Sequence, residues 1–227
     1  MATGTLIDAP AGGRALWQGA GVTSARLPAR PPTRLQRELA EDPQADRHST
    51  AIDAFRRARR AFQAGERIDM SALAAELGVN RVTLYRWVGS REQLLVEVVW
   101  SLAERTLARI AADVRPGGAE RVVEIVTRFL EAVIANAGMK RWLADEGEFA
   151  MRLLTRHDPD FQPRLIDWIH ELLLAESGAG RLDLPADLRE VAYVIVRLIE
   201  SYTYLDLITG EDPDARRAEP ILRLLLR

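Results

Sequence analysis

Residues 81–91, RVTLYRWVGSR, gather three arginines, a threonine and two large aromatics into eleven positions. A guanidinium is a planar, permanently charged donor fork that fits phosphate oxygens or the O6/N7 edge of guanine. Arg81 and Arg86 are therefore candidates for base edges, with Thr83 as a second polar contact and Val82 as a surface for a thymine methyl or a sugar. A helix that only faces solvent normally presents Glu, Lys and Gln. This one presents arginines, a hydroxyl and two rings, which suits a groove lined with phosphates and base edges.

No comparable grouping supports catalysis. The chain has no cysteine and only three histidines, His48, His157 and His170, and contains neither a G-x-G-x-x-G nor a P-loop. Asp167-x-x-His170 has the i, i+3 spacing of a carboxylate–histidine ligand pair, but a di-metal bundle needs two Glu-x-x-His repeats and two further carboxylates. A single approximate copy reads as a surface histidine. The expectation is a protein that is not an enzyme, with no catalytic residue, no metal site and no cofactor.

Two short helices must position the 81–91 group. Asp69 suits the N-cap of the first, and Leu73, Ala74 and Leu77 repeat on one helical face. Gly78 follows where a left-handed residue is needed, and Val79 plugs the corner. Asn80 caps the second helix, whose buried stripe is Leu84 and Val88. Gly89 ends it, and Ser90 with Gln93 forms a capping box that starts a third. This is a helix-turn-helix pattern.

The run LAAELGVNRVTLYRWVGSREQLL resembles the DNA-binding signature of the TetR family of transcriptional regulators, A-x-x-x-G-V-S-x-x-T-L-Y-x-x-F-x-S-K-x-x-L. Asn80 stands for the usual serine, Val88 for phenylalanine and Arg91 for lysine. Asparagine caps as well as serine and arginine keeps the charge, whereas Val88 fills less volume beneath the reading helix. The resemblance implies that Tyr85, Trp87 and Arg91 hold phosphates, which sets register without reading sequence. It also implies a two-fold dimer that pairs the last two long helices of each subunit in a four-helix bundle.

The formal charge of −2 is unevenly distributed: residues 1–48 carry +1, residues 49–95 carry +3, and residues 96–227 carry −6. The positive excess falls where the motif lies, and the acidic remainder should face away from a duplex. The absence of cysteine excludes disulfides and fits a cytoplasmic location. Neither an export signal nor an 18-residue apolar stretch is present, so no membrane partner is expected.

Residues 1–48, rich in Ala, Gly, Pro and Arg, are expected to be a disordered or flexible extension with a short helix near 34–41. The functional alternative is a basic arm that follows the minor groove. A firm helix from about Ser49 to Ala64 buries Ile52, Phe55, Ala58 and Phe62 and turns Arg56, Arg57, Arg59 and Arg60 outward. Residues 49–95 form the helix-turn-helix domain, and the helix from Ser90 should continue to about Asp113. Beyond Pro116-Gly117-Gly118, helices are expected over 119–137, 139–156 with a split near Gly147, Pro163–Glu176 and 186–209. Pro220 then forces a kink or restart in the last segment. The fold class is all-α, with an N-terminal three-helix domain and a C-terminal helical bundle over 96–227 for ligand binding and dimerisation.

The segment 186–209 is apolar on more than one side, so it needs cover from its own domain and from a second body such as a twin subunit. The stretch AYVIVRLIESYTYLDLITGEDPDARRAEPILRLLL also resembles the ligand-binding half of QsdR-type regulators of quorum-signal degradation. The functional expectation is a homodimeric repressor that binds a double-stranded DNA operator and is released by a small apolar inducer, a lactone or acyl compound. Its pocket is expected among Trp100, Phe129, Trp142, Phe149, Met151, Trp168, Tyr202 and Tyr204, each of which is alternatively core or dimer packing. The competing classes are an activator of the same architecture and a helical adaptor that does not bind DNA.

Overall fold

Local capping decides where the first helices begin. In the computed structural model, which describes residues 31–40, 50–158 and 160–227, Thr33 and Gln36 cap each other at the start of α1 (Arg34–Ala40), at 2.8 and 3.1 Å. Thr50 and Asp53 form a capping box at α2 (Ala51–Gln63). The Asp69 carboxylate accepts the Ser71 and Ala72 N–H groups, at 2.7 and 2.9 Å, to open α3 (Met70–Glu76). Asn80 accepts the Thr83 N–H at 2.8 Å to open α4 (Arg81–Val88). Ser90 and Gln93 form the expected box at α5 (Arg91–Asp113).

α1 belongs to the folded body, which corrects part of the expected flexible extension. Leu35 is fully buried, and α1 packs against α2 and α4. The rest of the extension, residues 1–30 and 41–49, together with the basic-arm reading of it, lies outside the described residues. α5 runs unbroken through the expected domain boundary at 95–96.

Every regular element among the described residues is helical. α6 (Gly118–Ala135), α7 (Ala137–Thr155), α8 (Phe161–Gly178) and α9 (Leu188–Thr203) build the body around α5, and α8 with α9 makes the most extensive helix pair. The buried Glu176 ties the bundle together at the start of α6. It accepts the Gly118 N–H at 2.8 Å and pairs with Arg181 at 2.6 Å and Arg121 at 3.3 Å. Those Arg181 hydrogen bonds come first among the causes that outweigh burial and hold the Glu176 carboxyl below the usual carboxylate range.

Two helices break within their expected spans. α7 kinks at Glu146 (φ −138°, ψ 38°), one residue before the expected split at Gly147. The expected continuous helix 186–209 is instead α9 followed, after Tyr204, by α10 (Leu205–Thr209). Ser201 and Thr203 donate their hydroxyls to carbonyls one turn back, at 2.8 Å each, a pattern that bends helix ends. A 3-10 turn at Ala215–Arg217 leads to α11 (Glu219–Leu225), which Pro220 opens.

Candidate nucleic-acid interface and ligand cavity

α4 divides its residues as an outward-reading helix should. Leu84 and Val88 are buried at 0% and 1% exposure, anchoring it on α1, α2 and α3. Val82 (63%) and Tyr85 (41%) stand out with Arg81 and Arg86, while Thr83 is half-buried. The Arg81 guanidinium lies 5.9 Å from the centroid of the Tyr85 ring, so a cation and a phenol are presented together one turn apart. The reduced bulk of Val88 leaves it 1% exposed, well covered by its neighbours.

Trp87 and Arg91 are placed differently from the rest of the expected set. Trp87 is half-buried against the core, with Arg34 of α1 5.8 Å from its ring centroid. Arg91 points into the protein. Its Nε donates to the Ile68 carbonyl at 2.9 Å, and its two terminal nitrogens donate to Glu146 at 2.8 Å each. Arg67, in the connection between α2 and α3, donates to the same carboxylate at 2.7 Å. Burial pulls the Glu146 carboxyl upward, but the hydrogen bonds from Arg91 and Arg67 prevail and hold it below its ordinary range. The Arg91 fork, expected to hold a phosphate, is engaged here by a carboxylate at the kink of α7.

A second buried carboxylate joins the same elements. Glu97 of α5, 5% exposed, accepts from Arg164 of α8 at 2.8 and 3.0 Å and from Gln36 of α1 at 3.0 Å. The outward arginines of α2 are partly occupied: Arg57 pairs with Glu76 at 2.8 Å, and Arg59 lies over the Phe55 ring.

Between α2, α5, α6, α7, α8 and α9 lies a cavity of about 70 Å3. Its walls are mostly apolar, among them Val99, Phe129 and Ile199, and small residues, Ala103 and Ala132, leave the space. Phe62, the penultimate residue of α2, is also part of the wall. A groove of about 420 Å3 shares Val133, Met139 and Thr203 with the cavity, so these three side chains divide the two spaces.

Known proteins combine these two parts. Residues 117–227 match the family described as "Tetracyclin repressor-like, C-terminal domain". The solved structure of the R. erythropolis transcriptional repressor QsdR, from the TetR family, is 27% identical, superposes with a TM-score of 0.72, and is covered over 93% of its length by 78% of this chain. The chain is similar to TetR-family regulators. The HTH-type transcriptional regulator BetI of Agrobacterium fabrum is 27% identical over 180 residues, 70% of this chain and 86% of BetI. FadR of Bacillus subtilis, solved in complex with stearoyl-CoA, shares the fold at 12% identity and a TM-score of 0.53, over 77% of this chain and 97% of that one.

The cavity is not built from most of the large side chains the sequence suggests. Phe129 lines it. Trp142 instead packs edge-on between Phe62 and Phe149, Trp100 meets Phe161 edge-on, and Phe149 lies beneath Arg91 and Arg152. Met151, Trp168 and Tyr202 are half-buried and Tyr204 is buried, none of them in the cavity wall. Large rings fill joints between helices, whereas a cavity forms where short side chains face one another.

Glu200 is the ionisable residue of the cavity wall that sequence reasoning missed. It is 8% exposed and lines the cavity, accepting from Gln162 at 3.2 Å and touching Arg197 on its own helix. Burial pushes its carboxyl up to about 7 against the opposing pull of Arg197. Its signal was a lone acid inside the apolar run VIVRLIESY. Asp167 pairs with Arg189 at 2.8 Å, and among the described residues no group of three or more His, Asp or Glu is placed to hold a metal ion. No helix among them is long and apolar enough to cross a membrane.

Proposed function

We propose that this chain is a TetR-family regulator, a homodimeric repressor that binds a near-palindromic operator and is released by a small apolar or acyl-type compound. The observation that carries the reading is α4: buried Leu84 and Val88 fix a helix whose Arg81, Val82, Tyr85 and Arg86 all face outward. Arg81 and Arg86 reach base edges with Val82 and Thr83 beside them, while Tyr85 and the edge of Trp87 hold phosphates. Two copies of α4 enter successive major grooves, about 34–36 Å apart or a multiple of it.

The second copy covers the outer face of α8 and α9, where Leu174, Tyr193 and Val194 are 39–43% exposed. Residues 49–95, with α1 added, act as the reading head, and the rest of the chain as the ligand-binding and dimerisation body.

The inducer occupies the cavity and, when longer than a few carbons, extends past Val133, Met139 and Thr203 into the groove. A mostly apolar wall favours an acyl or lactone compound, and the same fold in FadR holds stearoyl-CoA. Phe62 links the cavity to the head directly, and α7, whose Met139 and Leu154 line the cavity, is joined to the head through Glu146 with Arg91 and Arg67. A ligand that moves α7 therefore shifts the spacing of the two reading helices, and it must favour the shifted state by several kcal/mol to release the operator. Selection of bound sequences from random duplex DNA tests the reading. An inverted repeat supports it, and no enrichment by folded dimer contradicts it.

A further inference from the structure

The cavity has one chemical asymmetry. Among the residues that line it, Glu200 is the only one that ionises, and no arginine, lysine or histidine accompanies it there. Its other polar residues, Thr106, Asn136 and Thr203, are neutral. We propose, building on the inducer-cavity reading, that the ligand is an apolar compound whose polar end is a nitrogen hydrogen-bond donor of the acyl-amide kind, held by Glu200, and that free carboxylates are excluded.

The geometry around Glu200 supports this. The carboxylate has about four lone-pair positions. Gln162 of α8 takes one on Oε1, and Arg197 meets Oε2, which leaves acceptor capacity for a ligand N–H. Arg197 is outside the cavity wall, and its guanidinium, set against Glu200 Oε2, lies 5.5 Å from the Tyr193 ring centroid. Tyr204, buried nearby, has its hydroxyl held neutral by burial and then by Glu200 itself. A ligand carboxylate would bring a second negative charge into a site of low dielectric, where like charges repel strongly. With its own carboxyl pushed up to about 7, Glu200 also spends time protonated near neutral pH. An amide satisfies both forms, donating N–H to the carboxylate and accepting O–H from the acid at its carbonyl. An ammonium satisfies the ionised form alone.

Calorimetric titration of the full-length protein with hexanamide, hexylamine and hexanoate, matched in chain length, separates these chemistries. Hexanamide should bind about ten- to a hundredfold more tightly than hexanoate, the ratio for one hydrogen bond to a charged group. Hexylamine should bind at pH 8.5 and weaken toward pH 6, because protonation of Glu200 removes its partner. In Glu200→Gln the ratio of hexanamide to hexanoate should fall to near one, since the glutamine amide donates to a carboxylate as readily as it accepts from an amide. If that variant does not fold, the wild-type series still decides. Hexanoate binding as tightly as hexanamide overturns the inference while leaving the inducer cavity in place. Failure of all three compounds to bind overturns both.

Discussion

Arg91 and Glu146 lie 55 positions apart and meet through two parallel hydrogen bonds of 2.8 Å, joining the first residue of α5 to the kink of α7. The pair is mostly sheltered, with side chains 21% and 17% exposed. Glu146 also takes Arg67, so one carboxylate grips the head from two places. Arg91→Ala and Glu146→Gln should therefore each cost about 2 kcal/mol, and the double variant should cost much less than their sum. Chemical denaturation of the four proteins reads this coupling. If Arg91 held a DNA phosphate instead, Arg91→Ala would weaken operator binding while Glu146→Gln, by freeing the guanidinium, would strengthen it.

The outward face of α4 separates positioning from reading. Tyr85→Phe should weaken binding to all duplexes by a similar factor, because a phosphate contact carries no sequence information. Arg81→Ala or Arg86→Ala should cost about 1–3 kcal/mol and relax preference at one base position per half-site. Binding to a panel of single-base operator variants distinguishes the two patterns, and a loss confined to one position for Tyr85→Phe would contradict its role.

The proposed dimer rests on the outer face of α8 and α9. Val194 is 39% exposed beside Tyr193, and a charge there would be buried against its twin. Val194→Asp should leave the helical signal intact and convert the dimer to monomer in light scattering, with loss of palindrome binding. An unchanged mass would move the interface elsewhere.

Stability should depend on pH through Glu200. Its carboxyl lies near 7 in the folded chain and near the ordinary 4.5 when unfolded. Between those values the folded state holds more protons, so stability is greatest below about pH 4.5 as far as this group is concerned and falls as pH rises toward 7. The loss is on the order of 3 kcal/mol. Glu200→Gln should flatten that segment of the stability-versus-pH curve, and a curve that keeps its slope would show that Glu200 is not its source.

α7 approaches α2 so closely that a side chain cannot intervene. A Cβ on Gly138 would fall 2.2 Å from the Phe62 carbonyl oxygen, which is backbone and cannot swing aside. Gly138→Ala should push α7 off α2, lower the melting temperature by several degrees and enlarge or distort the cavity wall that Phe62 completes. A melting temperature equal to wild type would mean that the helices part freely.

The reading head was legible because its signals are local. Asp69, Asn80, Ser90 and Gln93 act on backbone groups two or three positions away, and the 3.6 period of Leu84 and Val88 states which face is buried. The cavity was not legible in the same way. Its walls come from six helices, and it exists because Ala103 and Ala132 are short where others are long, a three-dimensional property that aromatic content does not report. The pairing of Arg91 was not legible for a related reason: its partner Glu146 is distant in sequence and sits at the kink of α7. The break at Tyr204 fell inside an apolar run with no glycine or proline to mark it.

The measurement that tests the central claim most directly is selection of the purified protein against random duplex DNA, followed by a salt titration on the recovered sequence. An inverted repeat whose affinity falls steeply as salt rises is the predicted result, since Tyr85 and Trp87 hold phosphates while the α4 arginines carry positive charge into the groove on both half-sites. Folded, dimeric protein that enriches no sequence, or binding that is insensitive to salt, would contradict the account.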